Sequence, residues 1–170
     1  VNLMDEAKKK KINIDLDELS LQLGVPVVGT SACKGEGLDE LIEQVYYVSC
    51  GIKKTFSVVT RYDTQLERSI KAIKDVVRPI IKNKMNVRWV SIRLLDMDKK
   101  LNNSINECIG YDLLENEKIM SVINDEHERL NDSGIKDNMI RDEIVGKIVK
   151  HSEDIYNKCV ELGNKSYNER

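Results

Sequence analysis

Two short polar turns hold the residues of this chain best placed to do chemistry: Asn-Leu-Met-Asp at positions 2 to 5 and Thr-Ser-Ala-Cys-Lys-Gly-Glu-Gly at positions 30 to 37. A carboxylate fixed in a turn after a strand accepts two parallel hydrogen bonds. Guanine offers such a donor pair in its N1–H and exocyclic amine, and adenine does not. Asp5 is therefore the candidate base reader. Asn2 is expected to divide its amide between the purine and the neighbouring loop. The Ala32 backbone N–H is expected to donate to guanine O6, the Ser31 hydroxyl to brace Asp5, and Gly35 and Gly37 to let the loop bend tightly. A wrong base would leave buried polar groups unsatisfied at about 1–3 kcal/mol each.

An Asn and an Asp three apart are by themselves ordinary turn formers; the elements around them give the pair its weight. Apolar residues Ile14, Leu16, Leu19, Leu21 and Leu23 predict a helix that Gly24 stops. Val25, Val27 and Val28 predict a short buried strand, and Leu38, Leu41, Ile42 and Val45 a helix packed behind it. The order is strand end, N-x-x-D, helix, strand, T-S-A-x-x-G-x-G, helix, which is that of a nucleotide-binding α/β sheet. One strand cannot form a parallel sheet, so the rest of the sheet is expected elsewhere. Exposed strand edges then invite self-association.

After Gly51 the pattern becomes helical. Thr64 with Glu67 reads as a capping box ahead of Leu66, Ile70, Ile73 and Val77, with Pro79 kinking or ending the helix. VRWVSIRLL (87–95) is compatible with strand or helix; Asn86 as N-cap and helical neighbours favour helix. Further helices are predicted over about 99–109, closed by Gly110, over about 113–130, and over about 136–162 with Ile140, Ile144, Ile148, Ile155 and Cys159 inward. The predicted fold class is an α/β fragment, residues 1–50, followed by an all-α bundle of four or five helices, residues 51–170, mainly α overall.

Composition narrows the function classes. The 170 residues are 41% hydrophobic with a formal net charge of -2, enough for a core but without the basic field that nucleic acid requires. Cys33, Cys50, Cys108 and Cys159 lack metal-ligand spacing and read as reduced cytosolic thiols. No apolar stretch approaches the roughly 18 residues of a membrane span. The absence of a signal peptide and of an initiator Met suggests a piece of something longer. Lys8 to Lys11 read as a solvated helix face, His127 and His151 as surface residues rather than an iron relay, and Asp96 with Asp98 as a solvated helix end. Trp89 is expected to anchor the bundle core, and the scattered methionines to pack. No metal ligands and no catalytic residues are assigned.

At these residues the chain resembles the end of a Ras-like P-loop GTPase domain with its fourth and fifth guanine-nucleotide motifs. More narrowly, NLMDEA and DLDELSLQLGVPVVGTSACKGEGLDEL resemble bacterial ferrous iron transport protein B. The likeness continues through Tyr62, Leu66, Glu67 and Ile70 and through RWVSIRLLDMD (88–98), which are similar to that family's helical domain between GTPase and membrane. The resemblance implies that Asn2, Leu3, Met4 and Asp5 bind guanine, with Leu3, where most such GTPases have Lys, covering the purine face. It implies that Ser31, Ala32 and Cys33 form the loop over the base. It further implies GTP or GDP as ligand, with Mg²⁺ in the intact parent, and a place on the cytoplasmic side of the bacterial inner membrane. The partners it implies are the missing N-terminal part of the GTPase domain and the transmembrane region of the same protein. The helical part would act as a guanine nucleotide dissociation inhibitor or spacer that couples nucleotide state to Fe²⁺ uptake. The alternative is another Ras-like GTPase, or a helical protein-interaction module beside one. No G-x-x-x-x-G-K-[ST] loop and no D-x-x-G turn ahead of Asn2 occur in the sequence. The fragment is therefore expected to be hydrolytically inactive and to bind GDP weakly or undetectably.

Overall fold

The structure is a computed structural model that describes residues 1–82 and 84–163. The chain runs α1 (Met4–Lys9), β1 (Ile12–Ile14), α2 (Leu16–Leu23), a short 3-10 turn (Ala32–Lys34), α3 (Leu38–Ser49), α4 (Thr64–Ile81), α5 (Val87–Asp96), α6 (Lys99–Ile109), α7 (Glu117–Asp132), α8 (Asp137–Cys159) and β2 (Val160–Leu162). Its contacts divide it into two compact units: Val1–Thr60 together with the chain from Val149 on, and Arg61–Ile148. The expected α/β fragment followed by a helical bundle is present, mainly α overall.

In the first unit, Asp15 caps α2 by accepting from the Glu18 N–H, and Gly24 closes it at φ 67. An added Cβ at Gly24 would lie 2.1 Å from the Phe56 carbonyl oxygen, so the stop is enforced by packing as well as by backbone preference. Ile14 is not part of that helix. It belongs to β1, which pairs antiparallel with β2 in the register Ile12↔Leu162, Asn13↔Glu161 and Ile14↔Val160. The helix predicted to run to residue 162 accordingly ends at Cys159, whose carbonyl accepts from the Asp15 N–H at 2.8 Å.

The strand predicted at Val25 to Val28 is an extended run instead of a laddered strand. Among the described residues its cross-strand neighbour is Val1. Val1 nitrogen donates to Val28 oxygen at 2.7 Å and Thr30 N–H donates to Val1 oxygen at 2.8 Å. These two bonds form a single parallel bridge centred on Gly29. α3 packs less than its periodicity implies: Ile42 stays 67% exposed, and Leu41 and Val45 are exposed beside it.

The helical unit is built on α4, whose Leu66, Ile70, Ile73, Val77 and Ile81 are fully or almost fully buried against Val90, Leu94 and Leu95 of α5, Ile105 of α6, Ile119 and Ile123 of α7, and Ile140 and Ile144. Pro79 lies inside α4, and buried Val77 and Ile81 hold the last turn to the core across the missing N–H. Asp63, and not Thr64, is the N-cap, accepting from Gln65 and Leu66 N–H groups at 2.9 Å. Asn86 caps α5 as predicted, and Gly110 ends α6. Asn116 caps α7, which therefore begins after Leu113, although Leu113 itself is fully buried. Trp89 does not anchor the core. It is 36% exposed under the Arg93 guanidinium, because the inward stripe of α5 is Val90, Leu94 and Leu95. Ile148 is also outward. Asp96 departs from the solvated reading too: its side chain is 1% exposed beside Arg93 and Arg141, while Asp98 caps α6 and pairs with Arg141 at 2.9 Å.

Glu67, freed from the predicted capping box, holds the start of this unit. Its carboxylate accepts two 2.7 Å bonds from Arg88 and one from the Tyr62 N–H, while Arg88 stacks over the Tyr62 ring. The Arg88 bonds, helped by the Tyr62 N–H, hold the Glu67 carboxyl below its ordinary range against desolvation. A depressed carboxyl stabilises the fold fully above its unfolded pKa, and that stability is lost as pH falls through the folded one. The urea midpoint of the wild type should therefore drop as pH falls below about 5, through and beyond the ordinary carboxylate range. Glu67→Gln should have a lower midpoint at pH 7 and a visibly shallower acid decline, measured by far-UV circular dichroism at each pH.

Candidate guanine-reading site

The parallel bridge centred on Gly29 decides where the two polar turns go. Because Val1 and Thr30 lie side by side, the Asn2–Asp5 turn and the loop after Thr30 leave the same end of the same backbone pair, the carboxyl end at which α/β sheets bind ligands. Met4 N–H closes the arrangement by donating to Thr30 oxygen at 3.0 Å. Gly29 is required for this approach, since a Cβ there would stand 2.8 Å from Leu16 Cδ1 and 3.2 Å from Met4 Cγ.

The second turn is closed by its own backbone. Ser31 N–H donates to Glu36 oxygen at 3.0 Å, and the intervening Ala32–Lys34 turn ends at Gly35, with φ 73. Gly37, at φ 75, brings its α-carbon so near Gly29 that an added Cβ would lie 2.2 Å from the Gly29 carbonyl oxygen. Leu3 adopts φ 63 immediately before α1. A left-handed leucine is strained backbone, and here the side chain it presents is 56% exposed, free to lie against an aromatic face.

Asn2 divides its amide. Its Oδ1 accepts from the Ala32 N–H at 3.1 Å and from the Thr30 hydroxyl at 3.3 Å, while its Nδ2 makes no hydrogen bond among the described residues. The Ala32 N–H, expected to meet guanine O6, is thus shared with Asn2, its nearest acceptor. Ser31 braces Asp5 through the backbone, its Oγ accepting from the Asp5 N–H at 3.2 Å. Cys33 is exposed on the turn. Asn2, Leu3, Met4, Asp5, Ser31, Ala32 and Cys33 therefore meet in one place.

Reading the motif residue by residue missed Lys34. Its ammonium lies 2.9 Å from Asp5 Oδ2, while Asp5 Oδ1 is buried without a hydrogen-bond partner. Lys34's hydrogen bond is the largest influence holding the Asp5 carboxyl below its usual range, against desolvation, and Asp5 raises Lys34 in return. The signal was the lysine directly after Ser-Ala-Cys. Asp5 and Lys34 also border a cleft of about 870 Å³ lined by Met4, Lys8, Lys11 and Ile12. A carboxylate with one oxygen unpartnered suits a ligand edge carrying two adjacent donors. Phosphate-holding or Mg²⁺-holding motifs are not found in the sequence, so the residues present fit the base portion of a nucleotide and do not fit its phosphates or metal.

Among the described residues no cluster of three or more His, Cys, Asp or Glu side chains is arranged to hold a metal ion, and no helix is long and apolar enough to cross a membrane. His127 sits between the Asp137 carboxylate and the Leu95 carbonyl, and His151 against Thr60.

Comparison with known proteins places these features in a family. The family model described as Ferrous iron transport protein B matches residues 1–45, and that described as FeoB cytosolic helical domain matches residues 62–161. The Fe(2+) transport protein A/Fe(2+) transporter FeoB fusion protein of Porphyromonas gingivalis is 27% identical over 110 residues, which are 63% of this chain and 13% of that protein. Among solved structures, a GDP-bound point mutant of the S. thermophilus FeoB G-domain superposes with a TM-score of 0.74 at 21% identity, covering 95% of this chain and 57% of that one. The cytosolic domain of the T. maritima FeoB iron transporter in apo form gives a TM-score of 0.61 at 26% identity, covering 95% and 55%. The chain thus spans little more than half of these solved chains and about an eighth of the curated relative.

Proposed function

This chain belongs to the FeoB cytosolic helical domain family, and from that premise we propose that it is the guanine-reading and helical portion of a GTP-binding ferrous iron transporter. Residues 1–50 supply base recognition and residues 51–170 the helical module. Asp5 reads the N1–H and exocyclic amine of guanine, Asn2 Nδ2 and the Ala32 N–H contact the other purine atoms, Leu3 covers the ring face, and Met4, Ser31 and Cys33 complete the walls. The observation that carries this reading is the meeting of the Asn2–Asp5 turn with the Ser31–Cys33 loop through the Asn2–Ala32 and Asp5–Ser31 hydrogen bonds.

Phosphates and Mg²⁺ are held in the parent protein by sequence outside this chain, which acts on the cytoplasmic face of the inner membrane beside its own transmembrane region. Hydrolysis of GTP held there would supply the energy of the cycle; the residues of this chain bind and orient the base. Coupling toward the membrane has a physical route. α1 begins in the guanine turn and leads into β1, and β1 is paired with β2 directly after α8. A shift of the turn therefore pulls on the strand that continues the helical module.

The test uses this chain and guanosine. Line broadening and shifts of the Asp5 and Ala32 amides in ¹H–¹⁵N spectra should report guanosine binding in the millimolar range. Adenosine should give none, and GDP should gain little over guanosine. Asp5→Ala should weaken guanosine binding about tenfold or more, since both base donors lose their acceptor. Equal responses to guanosine and adenosine would overturn the assignment.

A further inference from the structure

We propose that Lys34 is a built-in competitor for the base, an affinity-setting residue whose ammonium occupies the oxygen of Asp5 that guanine must reach. The inference rests on the guanine-reading proposal and concerns the same site. Lys34 Nζ lies 2.9 Å from Asp5 Oδ2, with the Asp5 side chain 11% and the Lys34 side chain 47% exposed. The carboxylate is thus largely covered, and the lysine is what stands between it and solvent. A lysine is a point charge that satisfies one oxygen; it leaves Asp5 Oδ1 buried without a partner. Guanine's paired donors would satisfy both. Binding is then an exchange: one ion pair, open to solvent on its lysine side, is broken, and two hydrogen bonds are made in its place. Lys34 has room to leave, because Gly35 follows it in open space, at φ 73.

The exchange has three signatures that a merely structural lysine lacks. Removing the charge should tighten a neutral ligand; keeping the charge should not; and added salt, which screens the pair, should tighten guanosine binding to the chains that keep a cation at position 34 and not to Lys34→Met. The charged or titratable groups that act on the pair are Lys9, Glu36 and Cys33, with the Glu6 backbone N–H also facing the Asp5 carboxylate, all retained in the variants.

The full chain as wild type, Lys34→Met and Lys34→Arg is titrated with guanosine, and with adenosine as control, at 50 mM and 300 mM NaCl. Expected is guanosine binding about two- to fivefold tighter for Lys34→Met than for wild type at low salt, the range an exposed ion pair commands. Lys34→Arg should bind guanosine no more tightly than wild type, because a guanidinium fork can take both Asp5 oxygens, and the gain of Lys34→Met over wild type should shrink at high salt. Equal affinity of all three for guanosine with adenosine excluded would overturn the Lys34 inference and leave guanine reading intact. Weaker binding by Lys34→Met would also overturn it, making the lysine a contact for the base. Absence of guanosine binding in every variant would overturn both.

Discussion

Arg129→Ala is expected to destabilise the helical unit by about 2–4 kcal/mol, more than any other surface-directed polar substitution there. Arg129 projects from α7 onto α4. Its Nε donates to Glu126 Oε2 at 2.7 Å, and its two terminal nitrogens reach the Gln65 carbonyl oxygen at 2.9 Å, Ser69 Oγ at 2.7 Å and the Gln65 side-chain oxygen. Ser69 is fully buried and donates in turn to Glu126 Oε2 at 2.9 Å. The guanidinium fork therefore ties one turn of α4 to one turn of α7, with its bonds to Glu126 and Ser69 partly buried. Truncation leaves the Glu126 carboxylate, 13% exposed as a side chain, with a single hydroxyl partner. Arg129→Lys should recover only part of the loss, because an ammonium cannot serve several acceptors in one plane. Urea unfolding at pH 7 measures both. A loss below about 1 kcal/mol for the alanine variant would place Arg129 among ordinary exposed ion pairs.

That network was invisible in the sequence, and the reason is general to the chain. Features that depend on neighbours within four residues were legible: the stop at Gly24, the cap at Asn86, the stop at Gly110 and the stripe from Leu66 to Val77. Features that depend on a distant partner were not. β1 is three residues long and its partner lies about 150 residues away in the sequence, so Ile14 carried no readable alternation and was absorbed into a helix. Trp89 was assigned to the core by its size, but α5 has one inward stripe and Trp89 lies beside it. Asp63 displaced Thr64 as cap because an aspartate one residue earlier accepts two N–H groups at once, leaving Glu67 to pair with Arg88. At the candidate site the motif spacing picked out Asn2, Asp5, Ser31, Ala32 and Cys33. Motif spacing says nothing about which ordinary side chain stands against the reading carboxylate, and Lys34 was missed for that reason.

The site's geometry also depends on one backbone contact, and the second large effect follows from it. Gly37→Ala is expected to cost the first unit about 3 kcal/mol or more and to abolish guanosine binding, while Gly35→Ala costs about 1–2 kcal/mol and leaves binding measurable. Both glycines have left-handed backbone, φ 75 and φ 73, so both substitutions carry the same conformational penalty. Only Gly37 has a neighbour: its added Cβ would stand 2.2 Å from the Gly29 carbonyl oxygen and 3.3 Å from the Thr30 α-carbon, whereas at Gly35 nothing lies within 4 Å. The obstacle at Gly37 is backbone, which no rotamer change relieves. Gly29 lies between Val28 and Thr30, the residues bonded across to Val1 and Met4, so displacing this stretch separates the Asn2–Asp5 turn from the loop that faces it. Hydrogen exchange at the Ala32 and Asp5 amides distinguishes the two variants. Gly37→Ala should lose protection at both positions and Gly35→Ala at neither, and equal protection in the two variants would show that the turns are held together by something other than this close approach.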